Sequence, residues 1–155
     1  MQILLENISV SPEQVSEKLV IKEKQVKDGF KYAEDKNGNV VKDSLGNKIK
    51  IDKFKTVRCD FEQFRQTKSA LVGGQVVFVD LKTKQKIDNY PISSEFIFEH
   101  SYANVSGDKR ALDDELLPLL KLDAVPFPTN EEMVYDAGED LKARIKEILG
   151  RQRFN

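Results

Sequence analysis

The chain has 155 residues and 39% hydrophobic side chains, which fits one domain with a core of its own. Its 25 Lys and Arg nearly balance its 26 Asp and Glu, so the formal net charge is −1 and the composition argues against intrinsic disorder. One Cys and one His exclude a disulfide framework, multi-cysteine metal sites, His-pair zinc sites and much of acid–base chemistry near neutral pH.

The N-terminal part of the chain predicts strands and no targeting segment. Residues 3–10 have the pattern of a strand that Ser11-Pro12 closes, and residues 19–32 alternate β-branched and aromatic side chains with polar ones. No basic segment followed by an apolar run and a cleavage site opens the sequence. Because the sequence starts directly in a strand, we expect the single domain 1–155 to be a fragment of a longer protein whose address lies upstream.

An internal repeat follows, in which the frame D-x-x-G-N-x-(V/I)-K occurs twice over residues 35–50. Gly-Asn pairs tolerate positive φ, so each copy predicts a tight turn and the segment predicts a projecting hairpin arm. Asp35, Asn37 and Asn39 also imitate the first half of a calcium loop, but the Gly and the bidentate Glu that complete such a loop are missing. We expect turn chemistry and no metal here, with Asn37 and Asn47 as candidate partner contacts.

Residues 54–104 predict a β-meander of three strands. Apolar and polar side chains alternate over residues 54–64, the pattern of a half-buried strand, and a turn at residues 82–85 separates two later apolar runs. Gly73-Gly74 predicts a bulge or kink inside a long strand. Alternation places His100 on one face with neighbouring phenylalanines, which favours a structural His.

Residues 108–150 predict the helical C-terminal part. A short helix is expected over residues 111–120, and the two prolines of residues 125–128 make a stiff extended linker. Thr129 and Glu132 form a capping box ahead of a long amphipathic helix. Strands first and helices last indicate an α+β fold, an antiparallel β-meander sheet covered by C-terminal helices.

The most site-like segment lies where the chain turns from strand to helix after Gly107. A helix start beside Lys109 and Arg110 could hold an anion; alternatively, Asp108 caps the helix and the two cations pair with Asp113, Asp114 or Glu115. The frame of a nucleotide P-loop is absent. Asp108, Lys109 and Arg110 are therefore candidate partner contacts, Cys59 is expected to be a small buried hydrophobe, and no catalytic residue, metal or cofactor is assigned.

The charge is unevenly spread along the chain. Residues 17–68 carry 14 basic and 9 acidic side chains, whereas residues 69–155 carry 11 basic and 15 acidic ones. The signs interleave within the basic half, while nucleic-acid binding requires clustered Lys and Arg. We expect no nucleic-acid partner, with a cytosolic nucleic-acid binder as the weakest hypothesis, and no apolar run approaches the roughly 18 residues of a membrane-spanning helix.

Several short blocks in order carry a resemblance: YPISSEF (90–96), FEH (98–100), GDKRAL (107–112), PFP (126–128) and MVYDAGEDL (133–141). Over residues 54–149 the chain resembles the C-terminal soluble domain of uncharacterised bacterial cell-envelope lipoproteins. Its meander with a terminal helix is also similar in architecture to curli-secretion-type and penicillin-binding-protein-activator lipoproteins. The resemblance implies an exported parent with a lipid anchor upstream.

The leading hypothesis is a non-enzymatic interaction or structural module that binds another protein or glycan of the cell envelope. The resemblance implies a periplasmic or outer-membrane-associated protein, with a cytoplasmic one as the alternative. The alternative function is a small-ligand or glycan-binding enzyme domain that uses the region of His100, Asp108 and Arg110. That alternative predicts one concave pocket lined by all three side chains.

Overall fold

A computed structural model describes residues 1–151, which form four strands followed by three helical segments. The strands are β1 (Gln2–Val10), β2 (Gln14–Tyr32), β3 (Lys50–Val79) and β4 (Lys86–Gly107), and the helices are two 3-10 helices (Lys109–Ala111 and Asp114–Lys121) and α1 (Asn130–Arg151). The 30-residue β3 pairs with each of the other three strands. The predicted α+β fold, a mostly antiparallel sheet with a C-terminal helix, is confirmed.

The structure has two long strands where the sequence predicted three. Gly73-Gly74 does not interrupt β3; the register shift lies in the opposite strand, between Leu5 and Asn7 of β1. A Cβ atom on Gly74 would overlap the carbonyl oxygen of Leu4. The glycine is therefore needed because the β1 backbone approaches closely, which is the alternative meaning of a glycine inside a strand.

Within the described chain, the residues group into two compact units. Unit 1 contains residues 1–16, 64–101 and 124–151, and unit 2 contains residues 17–63 and 102–123. Each unit therefore draws on separate stretches of the chain. The expectation of a single domain over 1–155 stays a prediction.

The core of unit 1 lies between its strands and α1. Met133, Ala137 and Leu141 are buried, and their spacing of four residues places them on one face of the helix. They pack with buried side chains of β3 and β4, which are Ala70, Val72, Val76, Phe78 and Ile92. The apolar stripe predicted for the C-terminal helix is thus the face that covers the sheet.

The core of unit 2 is smaller and uses shorter helices. It contains Val57, Cys59 and Phe61 of β3, Ala103 of β4, and Ala111 and Leu112 at the end of the first 3-10 helix. In the second 3-10 helix, residues 114–121, no side chain is buried. Pro118 lies inside that helix, where it lacks the backbone N–H that a regular helix requires. Leu116, Leu119 and Leu120 pack against the core while remaining half-exposed.

The repeat at residues 35–50 forms two turns closed by a ring of backbone hydrogen bonds. Val41 donates to Ala33, Ile49 donates to Val41, and Ala33 donates to Ile49, with N···O distances of 2.8, 3.1 and 2.9 Å. These three residues stand eight positions apart, so the sequence period sets the ring. Gly38 and Gly46 adopt φ of 82° and 81° at the turns, as predicted for Gly-Asn. The segment predicted as a projecting hairpin arm thus contains two short turns joined by one ring of backbone hydrogen bonds.

Candidate functional site

Residues 107–110, which we call the Asp108 loop, are joined by hydrogen bonds between Asp108 and Arg110. The Asp108 carboxylate accepts the backbone N–H of Arg110 at 3.0 Å and the two arms of its guanidinium, the shorter at 2.6 Å. The hydrogen bond from the Arg110 side chain lowers the pKa of Asp108 to about 2. Of the two readings of this segment, the structure therefore has Asp108 as a cap, with Arg110 paired to Asp108 itself. Lys109 is exposed beside them.

Local backbone geometry fixes that loop. Gly107 has φ of 101°, and a Cβ there would lie 2.8 Å from the carbonyl oxygen of Arg58. The next amide, of Asp108, donates to the same carbonyl at 3.0 Å. The glycine is thus required by both its φ and the proximity of β3. The loop is rigidly placed, but its charges are largely satisfied within it.

The two asparagines proposed as partner contacts are not equivalent. The amide of the Asn47 side chain donates to Asp43 at 3.3 Å, and its backbone N–H also binds that carboxylate at 2.8 Å. Asn37 stands at the turn, where its backbone N–H binds Asp35 at 2.8 Å. Asp35 also accepts the backbone N–H of Asn39, and these hydrogen bonds lower its pKa. The oxygens that imitate a calcium loop thus serve the turn, and within residues 1–151 no cluster of metal-ligating side chains is found.

His100 and Cys59 lie in different units. His100 is half-buried on β4 in unit 1, while Asp108 and Arg110 belong to unit 2.

Cys59 is buried in the core of unit 2, and burial raises the pKa of its thiol, the nearby charge of Asp60 adding to the effect. A raised thiol pKa disfavours the nucleophilic thiolate. The structural interpretation of Cys59 is confirmed.

The basic side chains of unit 2 are interleaved with acidic partners. The ion pairs join Lys22 to Asp113 (2.9 Å), Lys27 to Asp52 (2.8 Å), Lys55 to Asp28 (3.3 Å) and Arg58 to Glu23 (3.9 Å). Pairing of this kind prevents a uniform basic face, which a nucleic-acid footprint requires.

An open groove of about 820 Å³ lies in unit 1. One side of the groove is made by residues 126–128, and we call this apolar side its floor. The other side is made by the first two turns of α1, with Glu131, Glu132, Tyr135 and Asp136. Tyr135 is 66% exposed, unusually so for a large aromatic side chain. We call this cavity the linker groove.

Buried polar side chains hold the floor of the linker groove in place. Gln66 donates to the carbonyl of Val125 at 2.8 Å and accepts its N–H at 3.0 Å. Lys68, only 4% exposed, donates to the carbonyl of Pro128 at 2.7 Å and to Glu13 at 3.3 Å. Both side chains come from β3, so the extended linker is attached to the sheet by its backbone.

The start of α1 is fixed as predicted. The Thr129 hydroxyl accepts the N–H of Glu132 at 3.2 Å, and the Glu132 carboxylate accepts the N–H of Thr129 at 2.8 Å. This reciprocal capping box is confirmed. The ring of Phe127 packs edge-on against Phe98 of β4, with centroids 5.7 Å apart. The sequence predicted the linker and the cap but not the groove. The available signal was Tyr135, an aromatic residue that lies off the apolar stripe of Met133, Ala137 and Leu141.

Comparison with protein-family models, with curated proteins and with solved structures gave no significant match. Among residues 1–151, no helix is both long and apolar enough to cross a membrane.

Proposed function

We propose that this chain is a non-enzymatic interaction module of a bacterial cell-envelope lipoprotein, and that it binds another component of the envelope. The observation that carries the interaction role is the linker groove, a concave apolar surface with an exposed aromatic side chain and a fixed floor. Surfaces of this kind are typical of binding sites. The envelope location in this proposal rests on the resemblance of short sequence blocks to such lipoproteins alone.

The geometry of the Asp108 loop favours a contact surface at this position. The Asp108 carboxylate accepts the backbone N–H and the guanidinium of Arg110, so much of its hydrogen-bonding capacity is used within the loop. The linker groove, by contrast, has a preformed shape and side chains suited to contact. We therefore propose the groove as the principal contact surface and the Asp108 loop as a secondary one.

The cellular location and the contact surface can be tested in one experiment on the full-length protein in its own cells. A photo-crosslinking amino acid is placed at Tyr135 and, as a matched control, at Leu45, which is 84% exposed in unit 2. Cells are fractionated after irradiation. We expect the protein to pellet with membranes, to be released by detergent, and to form a discrete crosslinked product from position 135 but not from position 45. A protein found only in the cytosol would overturn the envelope proposal, and equal crosslinking at both positions would overturn the role of the groove.

A further inference from the structure

We propose that the linker groove binds an extended basic peptide segment, with Arg or Lys heads at its carboxylates and apolar side chains on its floor. This inference rests on the proposed interaction function and names the chemistry of the partner. The groove, about 820 Å³ and open to solvent, leaves room for an extended segment to lie along it.

The charge of the lining favours a cationic partner. Glu131, Glu132 and Asp136 are the charged side chains of the groove, and its lining within residues 1–151 contains no Lys or Arg. Glu131 and Asp136 form no salt bridge with any described residue. Carboxylates next to an apolar surface lose part of their hydration when a ligand covers them, so a cation is favoured there and an anion excluded.

Helix polarity does not reverse this preference. A helix N-terminus carries partial positive charge, but Glu131 and Glu132 stand in the first turn of α1 and offset it. Asp136 lies beyond that turn, so its charge is not used in capping. The acidic side chains of the groove therefore continue past the first turn of the helix.

The aromatic side chain fits the same partner. Tyr135 lies one helical turn after Glu131, so its ring and that carboxylate share one side of the helix. A guanidinium or ammonium group can lie over the ring while it pairs with the carboxylate, and such a cation–π contact at an exposed position changes affinity by about two- to fivefold.

The floor is organised before a ligand arrives. Gln66 binds both backbone groups of Val125, and Lys68 binds the carbonyl of Pro128, so these groups are not released on binding. Because each proline restricts its own φ and the preceding residue, residues 126–128 present an extended edge with few alternative conformations. A preorganised surface loses less entropy on binding a flexible peptide.

Fluorescence anisotropy of the full chain with a labelled peptide of alternating Arg and Leu tests the proposal. A peptide with Glu in place of Arg is the charge control. We expect saturable binding of the Arg peptide that weakens as salt is raised, and no binding of the Glu peptide. Asp136→Lys should weaken binding about tenfold or more, while Asp114→Lys, the same substitution at an exposed position of unit 2, should change it less than about twofold.

Two substitutions at Tyr135, to Ala and to Phe, test the aromatic ring separately from the carboxylates. The Ala variant should bind about two- to fivefold more weakly, and the Phe variant should bind nearly as the unsubstituted chain does. Equal effects of the substitutions at positions 136 and 114, or tight binding of the Glu peptide, would overturn the inference. Concentration-dependent self-association that Asp136→Lys abolishes would assign the groove to a second copy instead and would also overturn it.

Failure of the peptide test and failure of the proposed function give different results. If the Arg peptide does not bind but position 135 still crosslinks to a membrane-fraction partner, the interaction role stands and the basic-peptide chemistry is wrong. If neither occurs, both are wrong. Circular dichroism of each variant, with an unchanged melting midpoint, shows that the fold is retained.

Discussion

The two units cover their strands in different ways. In unit 1 a 22-residue α-helix places three buried side chains on the sheet, and buried Gln66 and Lys68 attach the linker before it. In unit 2 two 3-10 helices, of 3 and 8 residues, contribute little buried surface of their own. A regular helix of this length repeats one face every four residues, so it can supply a continuous apolar cover.

The short helices of unit 2 depend more on polar attachments. Asp108 binds Arg110, and Lys22 of β2 pairs with Asp113 at the start of the second 3-10 helix. Exposed ion pairs contribute little individually and are sensitive to salt and pH. The difference teaches that the stability of unit 1 should respond strongly to changes in its packing, whereas the ion pairs at the short helices of unit 2 should each respond to salt and pH by a small amount.

A charge on the buried face of α1 should show the difference in stability between the helices of the two units most strongly. Leu141→Asp should destabilise the fold by at least about 3 kcal/mol, because it removes buried apolar contact and leaves a carboxylate without a partner. Leu117→Asp, in the exposed second 3-10 helix, should cost about 1 kcal/mol or less. Urea denaturation followed by circular dichroism measures both. A parent-like midpoint for Leu141→Asp would show that this face of α1 does not cover the sheet.

The close approach of β1 to β3 makes unit 1 intolerant of one methyl group. Gly74→Ala should cost about 1–3 kcal/mol, because the added Cβ meets the Leu4 carbonyl and β1 must shift. Gly138→Ala is the matched control on α1, where a Cβ meets nothing within 4 Å. That control should be neutral or stabilising by up to about 1 kcal/mol. Two equal effects in thermal denaturation would contradict the role given to Gly74.

The linker attachment should matter more than an exposed bond of the same type. Gln66→Leu leaves the N–H and carbonyl of Val125 without their partner and should cost about 2 kcal/mol. Gln75→Leu removes only the surface hydrogen bond to Glu6 and should cost less than about 1 kcal/mol. Hydrogen exchange should be faster at Val125 in the Gln66 variant alone. Unchanged protection there would mean that the linker is held by its prolines.

The Asp108 pair gives unit 2 a dependence on acid pH. The folded pKa of Asp108 is lowered from 3.8 to about 2, so its contribution to stability is complete above about pH 4 and is lost as pH falls toward 2. Carboxyl NMR titration should give this low pKa, and Arg110→Ala should return it toward 3.8 with only a small change in the melting midpoint. An Asp108 pKa that Arg110→Ala leaves unchanged would contradict the pairing, and a large loss of stability would make Arg110 a structural residue.

Local patterns accounted for much of the fold. Alternation predicted the strands around residues 54–64, the reciprocal cap at Thr129 and Glu132 followed from spacing alone, and the Gly-Asn frame predicted two turns. These features depend on residues within a few positions of one another, so their physical causes are present in the sequence. The residues of the Asp108 loop were likewise adjacent, and their cap could be anticipated.

Features that join distant segments were not predictable in the same way. The bulge opposite Gly73-Gly74 lies on β1, and the partners of Gln66 and Lys68 lie about 60 positions further along the chain. Buried Gln66 and Lys68 attach to the sheet the linker that forms one side of the linker groove. The sequence by itself determined the strand and helix periods, the caps and the turns, because each is a local balance of sterics and hydrogen bonds. The residues that line the groove also lie within one short stretch, residues 126–136. Only the tertiary structure decided how that stretch is held against the sheet, because the hydrogen bonds of Gln66 and Lys68 join segments that local pattern does not pair.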